Sequence, residues 1–155
     1  MLYSRFIHTV FFSAAITCSV AAFTTQAEDF SSLIDERQKG FKTMGRNLKI
    51  VRTEFKGESP DFSVVETALL AIQTEAKKVS GWFPSGSGPE SGLETDALAY
   101  IWKNTDKFST LAGDLETATE AFLTAAKSSD VSASKNALNM MKDACSSCHK
   151  SFRAD

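Results

Sequence analysis

Histidine and cysteine are scarce in this chain of 155 residues, with two of the first and three of the second. A structural zinc site draws on about four such ligands, and no second Cys or His cluster stands elsewhere to complete one. Charge of one sign is also missing. With 17 basic and 19 acidic residues, the balance gives no electrostatic reason to expect nucleic acid as a partner. No segment alternates apolar and polar residues as a half-buried strand would, and no internal repeat is visible. A sheet, a basic nucleic-acid module and a multi-cysteine metal fold therefore all lose their basis.

The single long apolar stretch lies at the start. Arg5 sits in a short polar opening, followed by Phe11–Phe12, Ala14–Ile16 and Val20–Phe23, and the run closes on Thr25-Gln26-Ala27 before Glu28-Asp29. It is interrupted by Thr17, Cys18 and Ser19 and is short for a bilayer span. The pattern predicts a secretory signal peptide over residues 1–27, removed after Ala27, and a mature domain of residues 28–155. The expected location is the periplasm of a Gram-negative-type cell, with no membrane association after cleavage. His8 and Cys18 leave with the leader, so every metal-ligand argument runs through Cys145, Cys148 and His149.

Four stretches carry heptad-like spacing. Phe30, Ile34, Arg37, Phe41, Met44, Leu48, Val51 and Phe55 alternate steps of four and three. Phe62 through Phe83 repeats the pattern in Val65, Leu69, Ile72, Ala76 and Val79. Phe108, Leu111, Leu115, Ala118, Phe122 and Ala125 form a third stripe, and Ser134, Leu138, Met141, Cys145, Cys148 and Phe152 a fourth. Each is the inward stripe of a bundled helix. Ser59 and Pro60 suit the N-cap and first position of the second helix, Asn104 the cap of the third, and Asp130 the cap of the fourth. Residues 81–92, with four glycines, two prolines and three serines, predict a loop. A helical turn over Leu93–Trp102 leads into the third helix. The fold class is an all-α antiparallel four-helix bundle with one longer crossing between helices two and three.

The chain closes on Cys145-Ser146-Ser147-Cys148-His149. Covalent haem attachment needs two thiols to reach two vinyl groups and an imidazole beside the second thiol to meet the iron, and Cys-x-x-Cys-His supplies all three within about one helical turn. A redox dithiol of the thioredoxin kind sits beside a parallel sheet, which this chain lacks. A plain disulfide suits an exported protein but leaves His149 unexplained. Haem is the favoured reading.

Beyond that motif, several pieces spread over residues 30–155 resemble the cytochromes c′, of the class II c-type cytochromes. They are Arg37-Gln38, Phe41 and Met44-Gly45 in the first helix, Trp82-Phe83-Pro84 before the loop, Ile101-Trp102 before the third helix, and Cys145–His149 followed by Arg153. The resemblance implies one covalent haem c on Cys145 and Cys148, with His149 the axial iron ligand. Arg37 stands on an apolar stripe, where a guanidinium needs an anion. A haem propionate would serve, as the resemblance implies, whereas the plainer readings are an arginine snorkelling out at the bundle end or one paired with an acid such as Glu36. Arg153, one turn after His149, either shields that proximal side or is a solvated arginine favouring the helix dipole. Trp82, Phe83 and Trp102 either cover a haem edge or are ordinary end-of-bundle core.

The iron's second ligand is open. No second histidine remains in the mature chain, Met140 and Met141 share a helix with His149, and only Met44 is a methionine on another helix. In low-spin members of the resembled family the ligating methionine matches position 41, and Phe41 stands there. The resemblance therefore implies a five-coordinate, high-spin iron crowded by Phe41. It would bind small gases such as NO and CO, with electron transfer to a partner protein as a further role and no enzymatic activity. The alternative is a six-coordinate electron carrier using Met44. A homodimer through the first two helices is also implied.

Overall fold

A computed structural model of the protein describes residues 29–154. Its elements run α1 (Ser31–Glu54), α2 (Phe62–Ala76), 3-10 turns at Val79–Trp82 and Pro89–Ser91, α3 (Tyr100–Lys103), α4 (Thr105–Lys127) and α5 (Val131–Phe152). The expected leader, residues 1–27, lies outside the described residues. The four long helices form the bundle that the stripes predict, and α3 is one turn.

The stripes become the core because three- and four-residue steps place side chains on one helical face. Val51, Val65, Leu69, Ile72, Phe122 and Met141 are buried almost completely. Packing proceeds α1 on α2, α2 on α4 and α4 on α5. The fourth seam, between α1 and α5, is not closed by comparable packing. Phe55, at the end of α1, lies 6.2 Å from Phe62 and 5.8 Å from Phe122, centroid to centroid. A larger aromatic group, including Phe41, Trp82, Phe83, Trp102, Phe108 and Phe152, fills the end where α2 crosses to α4 and α5 finishes.

Helix boundaries differ in part from expectation. Asp61, not Ser59, caps α2: its carboxylate accepts from the amides of Ser63 at 2.9 Å and Val64 at 3.3 Å. An anionic oxygen facing the positive end of the helix outcompetes a hydroxyl. The Asp61 amide in turn donates to Glu54, tying the turn to α1. Asn104 occupies the position before α4, yet its amide donates backwards to the Tyr100 carbonyl and caps nothing. Asp130 caps α5 as expected, accepting from the Ala133 amide at 2.9 Å. Between α4 and α5, Ser129 adopts φ of 52°. The amides of Ser129 and Asp130 close on the carbonyls of Ala126 and Ala125, respectively the five-to-two and six-to-one bonds of a Schellman turn.

The helical turn predicted over Leu93–Trp102 shrinks to Tyr100–Lys103. Ahead of it the chain is held extended. The Leu98 amide donates to the Phe152 carbonyl at 2.9 Å and the Ala154 amide to the Asp96 carbonyl at 2.8 Å. This antiparallel bridge between Ala97 and Arg153 takes backbone groups that a helix would have used, and it pins the end of α5 just after His149.

Candidate functional site

Along the open α1–α5 seam runs a groove of about 530 Å³, lined by Leu48 and Arg52 from α1 and by Lys142, Cys145, Ser146, His149, Lys150, Arg153 and Ala154 from α5 and its end. On α5 these positions recur at steps of three and four, so they share one face. The core stripe of the same helix passes through Leu138, Met141, Cys145, Cys148 and Phe152, and the two faces meet at Cys145. Cys148 does not line the groove; it is half-buried against the core, as is Cys145.

Both cysteines are free thiols. Burial raises the pKa of each, and at Cys148 the neighbouring Cys145 adds to the effect, pushing it up to about 11. The pair is therefore neutral at ordinary pH. His149 is exposed along its outer edge. Desolvation against the groove wall lowers its pKa first, and the Arg153 guanidinium lowers it further. Both effects favour the neutral imidazole, the form that can ligate a metal. Arg153 itself reaches the Asp96 carboxylate at 3.5 Å, an exposed pair of small energetic weight. The Cys145 thiol and the neutral His149 imidazole open on a groove of cofactor size, with the Cys148 thiol one helical turn from Cys145 on the core side, an arrangement that suits a haem held by these three residues.

Arg37 belongs to a different assembly. It is 2% exposed, so it neither snorkels to water nor pairs with Glu36, which instead accepts from the Trp82 indole at 3.4 Å. Its guanidinium donates to the Trp82 carbonyl at 3.4 Å, the Ser87 hydroxyl at 3.3 Å and the Thr95 hydroxyl at 2.7 Å. It also lies 4.8 Å from the Phe83 ring centroid. Burial lowers its pKa, with Glu90 opposing. Gln38 donates to the Glu94 carbonyl at 3.1 Å. The Arg-Gln pair thus clamps α1 to the long α2–α4 connection.

The other aromatic candidates complete that clamp. Trp82 is buried, packing edge-on against Phe41 at 5.4 Å. Its ring lies over Gly40, where a Cβ would come within 2.6 Å of Cζ2. Phe83 sits 4.8 Å from Phe108, and the Trp102 indole donates to the carbonyls of Phe83 and Pro84. Phe41 and Met44 are packed into or against the core and do not line the groove. They share the inward stripe of α1 with Leu48, one and two turns along. Sequence reading missed Leu48 as a lining residue, together with Arg52, Lys142, Ser146 and Lys150. The signal was available: the α5 members are helical neighbours of Cys145 and His149.

A family model described as cytochrome C′ matches residues 32–153. The chain belongs to the cytochrome c′ family. It is a c′-type haem protein, and members of the family carry covalently attached haem c. A cytochrome c′ of Rhodopseudomonas palustris is 34% identical over 125 residues, covering 80% of this chain and 83% of the relative. Cytochrome c-556 of the same organism is 30% identical over 153 residues, covering 95% and 97%. The crystal structure of cytochrome c′ from Thermochromatium tepidum superposes with a TM-score of 0.76 at 26% identity, covering 84% of this chain and all of that one. The fold is shared as well with a nitric oxide complex of a cytochrome c prime variant from Alcaligenes xylosoxidans, with a TM-score of 0.74 at 18% identity over 84% of this chain and 100% of that one.

Proposed function

We propose that this protein is a periplasmic mono-haem cytochrome whose iron has one protein ligand, His149, and an open face that takes small gases such as NO and CO. It is not an enzyme in this reading, since the described groove residues offer no acid–base pair to cleave a bound ligand. The observation that carries the proposal is the make-up of the groove: Cys145 and His149 line it, and among the described residues neither a second histidine nor a methionine does. Bound there, haem supplies an iron centre able to hold a diatomic ligand or to change charge by one electron.

The residues of the chain divide the remaining work. Cys145 and Cys148 anchor the group, one from the groove face and one from the core face of α5. The antiparallel bridge at Ala97 and Arg153 fixes the helix end that carries His149, and Arg153 covers its outer side. Phe41, two turns along the inward stripe of α1 from the groove-lining Leu48 and backed by Trp82 and Phe83, would border the second face with hydrocarbon and offer no hydrogen-bond donor to a bound gas. Met44 is 8% exposed within the core cluster, which disfavours the six-coordinate carrier. Export through residues 1–27 delivers the chain to the compartment where c-type haem is attached. Homodimerisation through α1 and α2 is supported by Ile50 and Val64, which are exposed at 43% and 39% beside a shallow cavity of about 220 Å³.

An electron paramagnetic resonance spectrum of the ferric protein tests the reading. A high-spin signal is expected, and Phe41→Met should add low-spin character. A low-spin signal with a methionine-to-iron charge-transfer band in the unaltered protein would overturn it. Sedimentation decides the dimer.

A further inference from the structure

The chain is mildly acidic overall, yet its charges are sorted by helix. Between residues 38 and 53 of α1 stand five basic side chains and no acidic one, and Asp143 is the only acid of α5. On the far side of the bundle, α2 carries Glu66 and Glu75 with no basic residue. Acids likewise outnumber bases on α4, with Asp106, Asp114, Glu116 and Glu120 against Lys107 and Lys127. The two basic helices are the two that flank the groove.

Four cations, Arg52, Lys142, Lys150 and Arg153, line the groove itself, and all are exposed. Only Arg153 has an acidic partner among the described residues. Lys142 reaches no further than the Asn139 side chain, at 3.4 Å. Lys49 extends the rim along α1, three residues before Arg52. A helix bundle gains little stability from unpaired like charges, which repel one another. Their concentration round one opening, with the opposite charge behind, makes the molecule a dipole whose positive end is the mouth of the groove.

We propose that this mouth is the docking surface for an acidic one-electron carrier protein. The proposal rests on the reading that haem occupies the groove, because only then does the basic rim surround a redox centre. Encounters of this class are small in area, weak and electrostatically steered. A large partner feels the dipole of the whole bundle, which a small anion does not need. A lipid surface fits less well, since none of the large apolar side chains found exposed lies among the groove residues. In the complex one electron would pass from the partner's reduced centre to the haem that Cys145, Cys148 and His149 would hold. No bond is made or broken, and the partner is oxidised by one equivalent.

The test uses the full haem-loaded protein and a reduced acidic flavodoxin as donor. A pyridine haemochrome spectrum first establishes covalent haem; its absence defeats the parent reading, separately from the docking proposal. Stopped-flow reduction should then slow roughly tenfold as ionic strength rises from about 10 to 300 mM. The net negative charge of the chain alone would make the rate rise with salt instead, so the sign decides. Lys142→Glu with Lys150→Glu should slow the low-salt rate several-fold, while Lys127→Glu on the opposite face should change it less than twofold. Carbodiimide cross-linking to the oxidised flavodoxin gives a readout independent of electron transfer, and the linked lysines should be Lys49, Lys142 and Lys150. A flat or rising salt dependence, cross-links on α2 or α4, or firmer retention on phosphatidylglycerol vesicles than on flavodoxin at 150 mM salt would each overturn the proposal.

Discussion

Gly40→Ala and Gly45→Ala are the same chemical change five residues apart in one helix, and the structure gives them opposite signs. Alanine is favoured over glycine in a helix interior by about 1 kcal/mol. At Gly45 nothing lies within 4 Å of the added Cβ, so most of that gain should appear as stability. At Gly40 the Cβ would overlap the Trp82 ring, within 2.6 Å of Cζ2 and 3.0 Å of Cζ3. Trp82 has little room to yield. It is 3% exposed, it packs against Phe41 at 5.4 Å in a T-shaped contact, and its indole N–H is engaged by Glu36. Overpacking of this kind costs about 1–3 kcal/mol and sometimes more, so the net loss should be up to about 2 kcal/mol after the helical gain of about 1 kcal/mol is offset. Urea unfolding followed by helical circular dichroism measures both variants, with the slope expected to stay constant so that the midpoint reports stability. A Gly40→Ala protein as stable as Gly45→Ala would falsify the tight seating of Trp82 on α1.

The remaining expectations concern single groups. The Ser134 hydroxyl is buried with no hydrogen-bond partner, so Ser134→Ala should stabilise by about 1 kcal/mol in the same titration; a loss would show that the hydroxyl is bonded. Asp61→Ala removes the carboxylate cap of α2 and should cost about 0.5–2 kcal/mol, whereas Ser59→Ala should be silent; the reverse order would restore Ser59 as the cap. Before haem attachment, the thiols of Cys145 and Cys148 carry pKa values raised above that of an unfolded cysteine, Cys148 to about 11. Their contribution to stability is therefore complete below the unfolded value, near 9, and is lost as pH rises through the folded one. Haem-free chain should unfold at lower urea as pH climbs from about 9 to 11, and iodoacetamide should label it slowly at pH 8. Rapid labelling in folded chain would show the thiols to be exposed.

Much of this was legible because helices report themselves locally. Stripes such as Val65, Leu69, Ile72 and Ala76 need only a three- and four-residue period to declare an inward face, and Asp130 needs only its own helix to cap. The Cys145-x-x-Cys148-His149 motif is equally plain as a motif, since the attachment chemistry proposed for it would be confined to one helical turn and so to five consecutive residues.

Where partners lie far apart along the chain, only the tertiary structure decided. Arg37 on an apolar stripe demanded some partner, but nothing local could say that Trp82, Ser87 and Thr95 would supply carbonyl and hydroxyl acceptors. Asp61 rather than Ser59 caps α2 because the helix starts at Phe62, which sets the Asp61 carboxylate against the amides of Ser63 and Val64. The extended pairing of Ala97 with Arg153 displaced the helical turn begun at Leu93, as backbone groups can serve one ladder only. Leu48 and Arg52 face Cys145 and His149 across a seam between the first and last helices. That seam exists because packing closes the other three, and the length of chain between its two walls hides it from any local pattern.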